Sequence, residues 1–158
     1  MKSWIIGILI ILVIIVGYFG YQYLTTGQVT VLAEDAPGIT VTLIITSIMI
    51  HQVNGSWITL TNSTIKYVFS SNLTLLTSER IPAGKYNEIF IYVSNATASI
   101  LGLPVKIPSN VIKIHFVENK DLIVGPGENA QIIISFPHVS ISSGSLIISP
   151  SVTAEAIN

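Results

Sequence analysis

The chain of 158 residues contains no cysteine. Disulfides, thiolate metal sites, iron–sulfur clusters and cysteine nucleophiles are therefore excluded. Charge is scarce too: Asp, Glu, Lys and Arg make up 9% of the chain, against about 25% in ordinary globular proteins. Seven basic and eight acidic residues leave a formal net charge of −1. No basic stripe is present to neutralise phosphates, so no nucleic-acid partner is expected. Disorder needs low hydrophobicity and high charge, and this chain is 50% hydrophobic. Isoleucine alone supplies 29 residues.

Recognisable chemistry is sparse as well. The three histidines, His51, His115 and His138, do not fall in H-x-x-x-H or H-E-x-x-H spacing. They could converge on a metal only through the fold, and scattered histidines are more often structural. Glu34-Asp35 and the Glu118/Asp121 turn are the local acidic pairs, and neither forms a D-x-D-x-D calcium loop. Ser143-Gly144-Ser145-Leu146 is not the G-x-S-x-G elbow. Gly125-Pro126-Gly127 lacks the third glycine of a dinucleotide loop. The expectation is a protein that is not an enzyme, with no catalytic residues, metal or cofactor.

What the chain has in quantity is apolar length. Trp4 to Tyr21 carries no charged or strongly polar side chain. Extended to Leu24, the run is about 21 residues, or roughly 31 Å of helix, which matches a hydrocarbon core of about 30 Å. Isoleucine and valine are poor soluble-helix formers, but in lipid every backbone group must be bonded internally. Trp4 marks one interface; Tyr18, Phe19, Tyr21 and Tyr23 mark the other. Lys2 precedes the run, and Glu34 and Asp35 are the first charges after it. The positive-inside rule then places the N-terminus in the cytoplasm and the rest outside. A signal peptide cleaved after Gly27 is the alternative, but the run is longer than the usual ~7–15 residues and no A-x-A box follows. The expected organisation is a transmembrane signal anchor over 1–24, a short linker over 25–27 and an extracytoplasmic domain over 28–158.

The remainder reads as short β-branched runs punctuated by turns. Candidate strands are Gln28–Ala33, Ile39–His51, Trp57–Leu60, Ile65–Phe69, Leu73–Leu76, Glu88–Ser94, Ala98–Leu101, Val111–Val117, Gln131–Phe136 and Leu146–Ala154. In the second, Ile39, Val41, Leu43 and Ile45 share one face and Thr40, Thr42 and Thr46 the other. Gln131–Phe136 reads as buried on both sides. Asn54-Gly55 predicts a type I′ hairpin. Ile89, Ile91, Val93, Ile112, Ile114 and Ile133 are candidate core residues. This spacing of strands, with no amphipathic helix, implies a sandwich or barrel. Four N-x-S/T sequons, at Asn54, Asn62, Asn72 and Asn95, are glycosylation candidates and agree with an outside location.

The block Ile81-Pro82-Ala83-Gly84-Lys85-Tyr86-Asn87-Glu88, continued by Ile89 to Ala96, resembles the best-defined segment of the domain of unknown function 4382 family. Ala33–Pro37 resembles that family's first turn, Val41 to His51 its long strand followed by Trp57, and Leu146 to Ala154 its last strand. The resemblance spans nearly all of residues 28–155. It implies an extracytoplasmic β-sandwich found in archaea and bacteria, often tethered by a lipoprotein cysteine. This chain has no cysteine and is expected to use the helix instead. The expected fold class is thus an all-β sandwich, immunoglobulin- or transthyretin-like, preceded by one transmembrane helix. In the block itself, Pro82 fixes φ, Gly84 permits φ > 0, and Tyr86 can bury its ring while its hydroxyl caps a backbone group.

The expected role is that of a membrane-anchored structural or interaction module of the cell surface. Its partners would be membrane lipid and other membrane or envelope subunits, or copies of itself. An accessory single-helix subunit of a larger membrane complex is a second reading, in which Gly17 and Gly20 allow close helix approach. A filament subunit that donates Gln28–Ala33 is a third. A sugar- or small-ligand-binding domain, supported only by loop aromatics such as Trp57, is a fourth.

Overall fold

The computed structural model describes residues 2–35, 41–70, 72–98, 105–117, 120–136, 140–142, 145–147 and 151–157. It opens with α1 (Lys2–Thr25), followed by β1 (Thr26–Asp35), β2 (Val41–Gln52), β3 (Trp57–Thr61), β4 (Ile65–Val68) and β5 (Thr74–Pro82). Next come β6 (Gly84–Ala98), β7 (Val105–Lys106), a 3-10 turn (Pro108–Asn110), β8 (Val111–Phe116) and β9 (Leu122–Val124). The chain closes with β10 (Asn129–Phe136), β11 (Ser140–Ser142), β12 (Ser145–Ile147) and β13 (Ser151–Ile157).

Among the described residues the main sheet runs β3-β2-β6-β8-β13-β10-β1-β5, with β4 also pairing β2 and β9 also pairing β6. A second sheet has the order β11-β12-β7. The main sheet doubles back on itself. Tyr67 of β4 and the following Phe69 lie far from β10 in strand order, yet their rings stand 5.5 and 5.0 Å from that of Phe136. The fold is therefore a β-sandwich preceded by one long apolar helix. Its layers face each other across a core of Val29, Val31, Leu43, Ile45, Ile48, Ile50, Ile89, Ile91, Ile112, Ile114, Ile132 and Ile134, among others. Full burial of each such side chain is worth about 1.5–3 kcal/mol. That is how a domain without disulfides holds its shape.

Alternation explains most strand faces. Val41, Leu43 and Ile45 point inward with their neighbours half-buried. Bulges in the β2/β6 ladder between Ile44 and Ser47 then shift the phase, so Ile48 and Ile50 face the core. Ile39 and Thr40 lie outside the described residues. Ile89, Ile91, Val93, Ile112 and Ile114 are buried as expected.

Several expectations need correction. β10 is not buried on both sides: Ile132, Ile134 and Phe136 point inward, Gln131 and Ser135 are exposed, and Ile133 is only half-buried on the outer face. A sandwich layer has one dry face, so three consecutive isoleucines cannot all enter the core. The run Leu146–Ala154 is two strands in different sheets, β12 and β13. Glu88–Ser94 and Ala98 belong to one strand, β6, which begins at Gly84. β5 continues from Thr74 to Pro82, because its exposed Ser78, Glu79 and Arg80 hide a strand that pairs with β1. The hairpin at Asn54-Gly55 exists, but its loop has three residues, with Gln52 N–H donating to the Ser56 carbonyl (2.7 Å). Only Gly55 takes positive φ (107°) there, so the turn is followed by a bulge glycine rather than being type I′. Residues 25–27 are no linker. Thr25 ends the helix, and Thr26 and Gly27 open β1.

Candidate functional site

The helix meets the sandwich without slack. Thr25 Oγ1 donates to the Tyr21 carbonyl (2.8 Å) and Thr26 Oγ1 to the Gln22 carbonyl (2.5 Å), closing the last turn. The Thr25 carbonyl accepts from Ala83 N–H (2.8 Å), and the Thr26 carbonyl from Gly127 N–H (2.9 Å). Arg80 of β5 adds bonds from Nε to Thr26 Oγ1 (3.2 Å) and from Nη2 to the Thr26 carbonyl (3.4 Å). Gly27 fits because it has no side chain: a Cβ there would collide with the Val124 side chain and come 2.7 Å from the Gly125 carbonyl. β1 then runs inside the sheet, hydrogen-bonded to β10 on one side and β5 on the other.

The helix itself buries no residue. It is long and apolar enough to cross a membrane. Trp4, Tyr18, Tyr21 and Tyr23 are all exposed, and Trp4 and Tyr23 stand about 28 Å apart along the axis at 1.5 Å per residue. Gly7, Gly17 and Gly20 leave the helix surface open, with nothing near where a Cβ would stand. Where the helix meets the sandwich there is a cleft of about 360 Å³ lined by Tyr18, Phe19, Gln22, Tyr23 and Arg80.

A second concentration of polar and aromatic groups lies on the outer face of β3-β2-β6-β8. The ladder sets Trp57, His51, Glu88 and His115 side by side on four neighbouring strands. The Trp57 ring packs 4.7 Å from His51 and 4.4 Å from Phe90, and remains 39% exposed. Lys113 Nζ sits 5.6 Å over the Phe90 ring. His51 Nδ1 is 2.7 Å from Asn87 Oδ1, and His115 Nδ1 is 3.3 Å from Glu88 Oε1. That last pair is solvated and worth little. A shallow cleft of about 200 Å³ follows, lined by Asn87, Glu88, His115, Phe116, Lys120 and Asp121. Each of these two histidines has its own neighbour, and no three His, Asp or Glu residues gather as metal ligands among the described residues. His138 lies outside the described residues.

The four sequon asparagines are all exposed. Asn54 lies in the β2/β3 hairpin, Asn62 and Asn72 lie in loops, and Asn95 lies within β6. Tyr86 does what its block suggested: its ring is buried and its hydroxyl donates to the Pro82 carbonyl (2.5 Å). Burial pushes its phenol up to about 12 from the ordinary 10.0. Sequence reasoning missed Arg80 and Gln22. Arg80 reaches Thr26 across 54 positions of chain, a proximity created by the β1/β5 pairing and by no local pattern.

An apolar helix joined directly to a disulfide-free sandwich, with an aromatic strip on one outer face, defines the class: a β-sandwich domain on a helix long and apolar enough to span a membrane. The family model described as domain of unknown function (DUF4382) matches residues 26–150, and the chain belongs to that family. Neither a curated protein nor a solved structure matches it.

Proposed function

We propose that this protein is a single-pass, membrane-anchored module that works by protein–protein contact in a cell-envelope assembly, without catalysis. The observation that carries this reading is the junction: an apolar helix with no buried residue passes straight into a strand held on both sides within the sheet. Such a junction fixes the sandwich at the bilayer surface instead of leaving it on a flexible tether. The charge asymmetry around the helix supports an outer location for the domain, and the exposed sequons agree with it. The exposed Trp57, packed on His51 and Phe90, supplies the aromatic residue type that is enriched at protein interfaces. The partner is another envelope subunit or a second copy of the chain.

The accessory-subunit reading draws on the open notch at Gly17 and Gly20, which suits a partner helix in the membrane. Filament growth by donation of residues 28–33 is the weaker alternative, since β1 already has neighbours on both sides. Carbonate washing followed by size exclusion in gentle detergent and mass spectrometry tests the proposal. Retention in the membrane and migration as part of an assembly are expected. Release by carbonate overturns the anchor, and a strictly monomeric particle overturns the contact role.

A further inference from the structure

We propose that the cleft between the end of α1 and β5 is a lipid site, in which Arg80 holds the headgroup phosphate of a bilayer lipid and the Tyr18 and Phe19 rings flank its upper acyl chain. The inference rests on the anchoring reading above and goes beyond it by naming a ligand and the residues that hold it.

Position comes first. Tyr18, Phe19, Gln22 and Tyr23 form one helix face, since residues three or four apart on a helix are neighbours and the pairs Tyr18/Gln22, Phe19/Gln22 and Phe19/Tyr23 have that spacing. They cover about 7–8 Å of the axis at the end remote from Trp4, which is the depth of the interface if Trp4 marks the opposite one. The cleft of about 360 Å³ at this level is lined mainly by apolar surface. Gln22 Nε2 stands 3.4 Å from the Tyr18 hydroxyl, and Arg80, bonded to Thr26 just past the helix end, completes the lining.

Charge then selects the occupant. Among the described residues, Arg80 meets no carboxylate within ion-pair distance. Its Nε–Nη2 edge is used by the Thr26 hydroxyl and carbonyl. The end-on pair of N–H groups, on Nη1 and Nη2, remains for a planar two-oxygen acceptor, the geometry in which guanidinium holds phosphate. The carbonyls of the last helical turn would repel an anion, but those of Tyr21, Gln22, Thr25 and Thr26 already accept hydrogen bonds. The same end of the sandwich carries exposed Lys85, with Val53 and Ile123 each 48% exposed beside it. Cations mixed with apolar side chains suit a surface that rests on anionic headgroups.

The competing explanation is that Arg80 only caps the helix terminus. Native mass spectrometry of the full chain in mild detergent separates the two, with phosphatidylglycerol, the matching diacylglycerol and inorganic phosphate as separate probes. Retention of phosphatidylglycerol is expected, with neither diacylglycerol nor inorganic phosphate retained. Arg80→Gln should weaken retention about tenfold, the loss of one charge-assisted contact. Arg80→Lys should fall between, and Lys66→Gln, remote from the cleft, should match the wild type. Circular dichroism of each variant checks that the sandwich persists. Equal retention by Arg80→Gln, or diacylglycerol bound as well as phosphatidylglycerol, overturns the site and leaves a capping role. Phosphate binding without lipid overturns the lipid assignment. Flotation with phosphatidylglycerol vesicles keeps the two claims apart: a chain that fails to float refutes the anchor, whereas one that floats but shows no Arg80 dependence refutes only the site.

Discussion

Replacing Tyr86 by phenylalanine tests the corner that joins β5 to β6. The ring would stay, fully buried, and only the hydroxyl would go. That hydroxyl donates to the Pro82 carbonyl at 2.5 Å, at the point where the β1/β5 ladder ends in the Thr26–Pro82 pair. A typical hydrogen bond contributes about 0.5–1.5 kcal/mol net, and an acceptor orphaned in a buried setting raises the cost to about 1–3 kcal/mol. The expected destabilisation of Tyr86→Phe is therefore about 1–3 kcal/mol. For a domain of this size each kcal/mol moves Tm by roughly 3–5 °C. The assay is urea and thermal unfolding of the full chain in mild detergent, followed by tryptophan fluorescence. An alkaline series adds a second constraint. Burial holds the Tyr86 phenol protonated up to about 12, above its ordinary 10.0. A group whose pKa is raised by folding contributes stability that is fully present below its unfolded value and is lost as pH rises through the folded one. The gap between wild type and Tyr86→Phe should thus narrow between pH 10 and pH 12. A gap below about 0.5 kcal/mol at neutral pH, within the range of an ordinary surface substitution, would refute the reasoning. So would a gap that stays constant across the alkaline window.

Three further outcomes follow from particular positions. Ile132→Ala should cost about 2–5 kcal/mol and Ile133→Ala less than about 1 kcal/mol, measured by the same unfolding assay; equal costs would contradict the observed faces of β10. Gly27→Ala should destabilise by about 1–3 kcal/mol, because its Cβ would strike Val124 and the turn after β9; an unchanged Tm would show that the junction yields easily. Glycopeptide mapping of native protein should find modification at Asn72, in the loop at the end of the sandwich remote from the helix, before Asn54, whose hairpin adjoins the Gly84–Lys85 corner near the helix exit. Glycan at Asn54 with Asn72 bare would reverse that geometry.

The sequence by itself determined the elements whose cause is local. An uncharged apolar run must be a helix if it sits in lipid, and its limits were readable to within one residue of Thr25. Alternation over Val41–Ile45 and Glu88–Val93 assigned inner and outer faces, because side-chain period is a property of the strand alone. The role of Tyr86 was legible for the same reason: donor and acceptor lie four residues apart, within one corner. Tertiary structure decided whatever depends on which strands become neighbours. Three isoleucines in a row carry no phase, so only the pairing of β10 between β1 and β13 separated Ile133 from Ile132 and Ile134. The polar spelling of Ser78-Glu79-Arg80 masked a strand that exists because β1 offers it hydrogen bonds. The rows that join Trp57, His51, Glu88 and His115, and the meeting of Arg80 with the end of the helix, arise from ladder registers. Register is the sum of many weak long-range contacts, and no single segment of the chain encodes it.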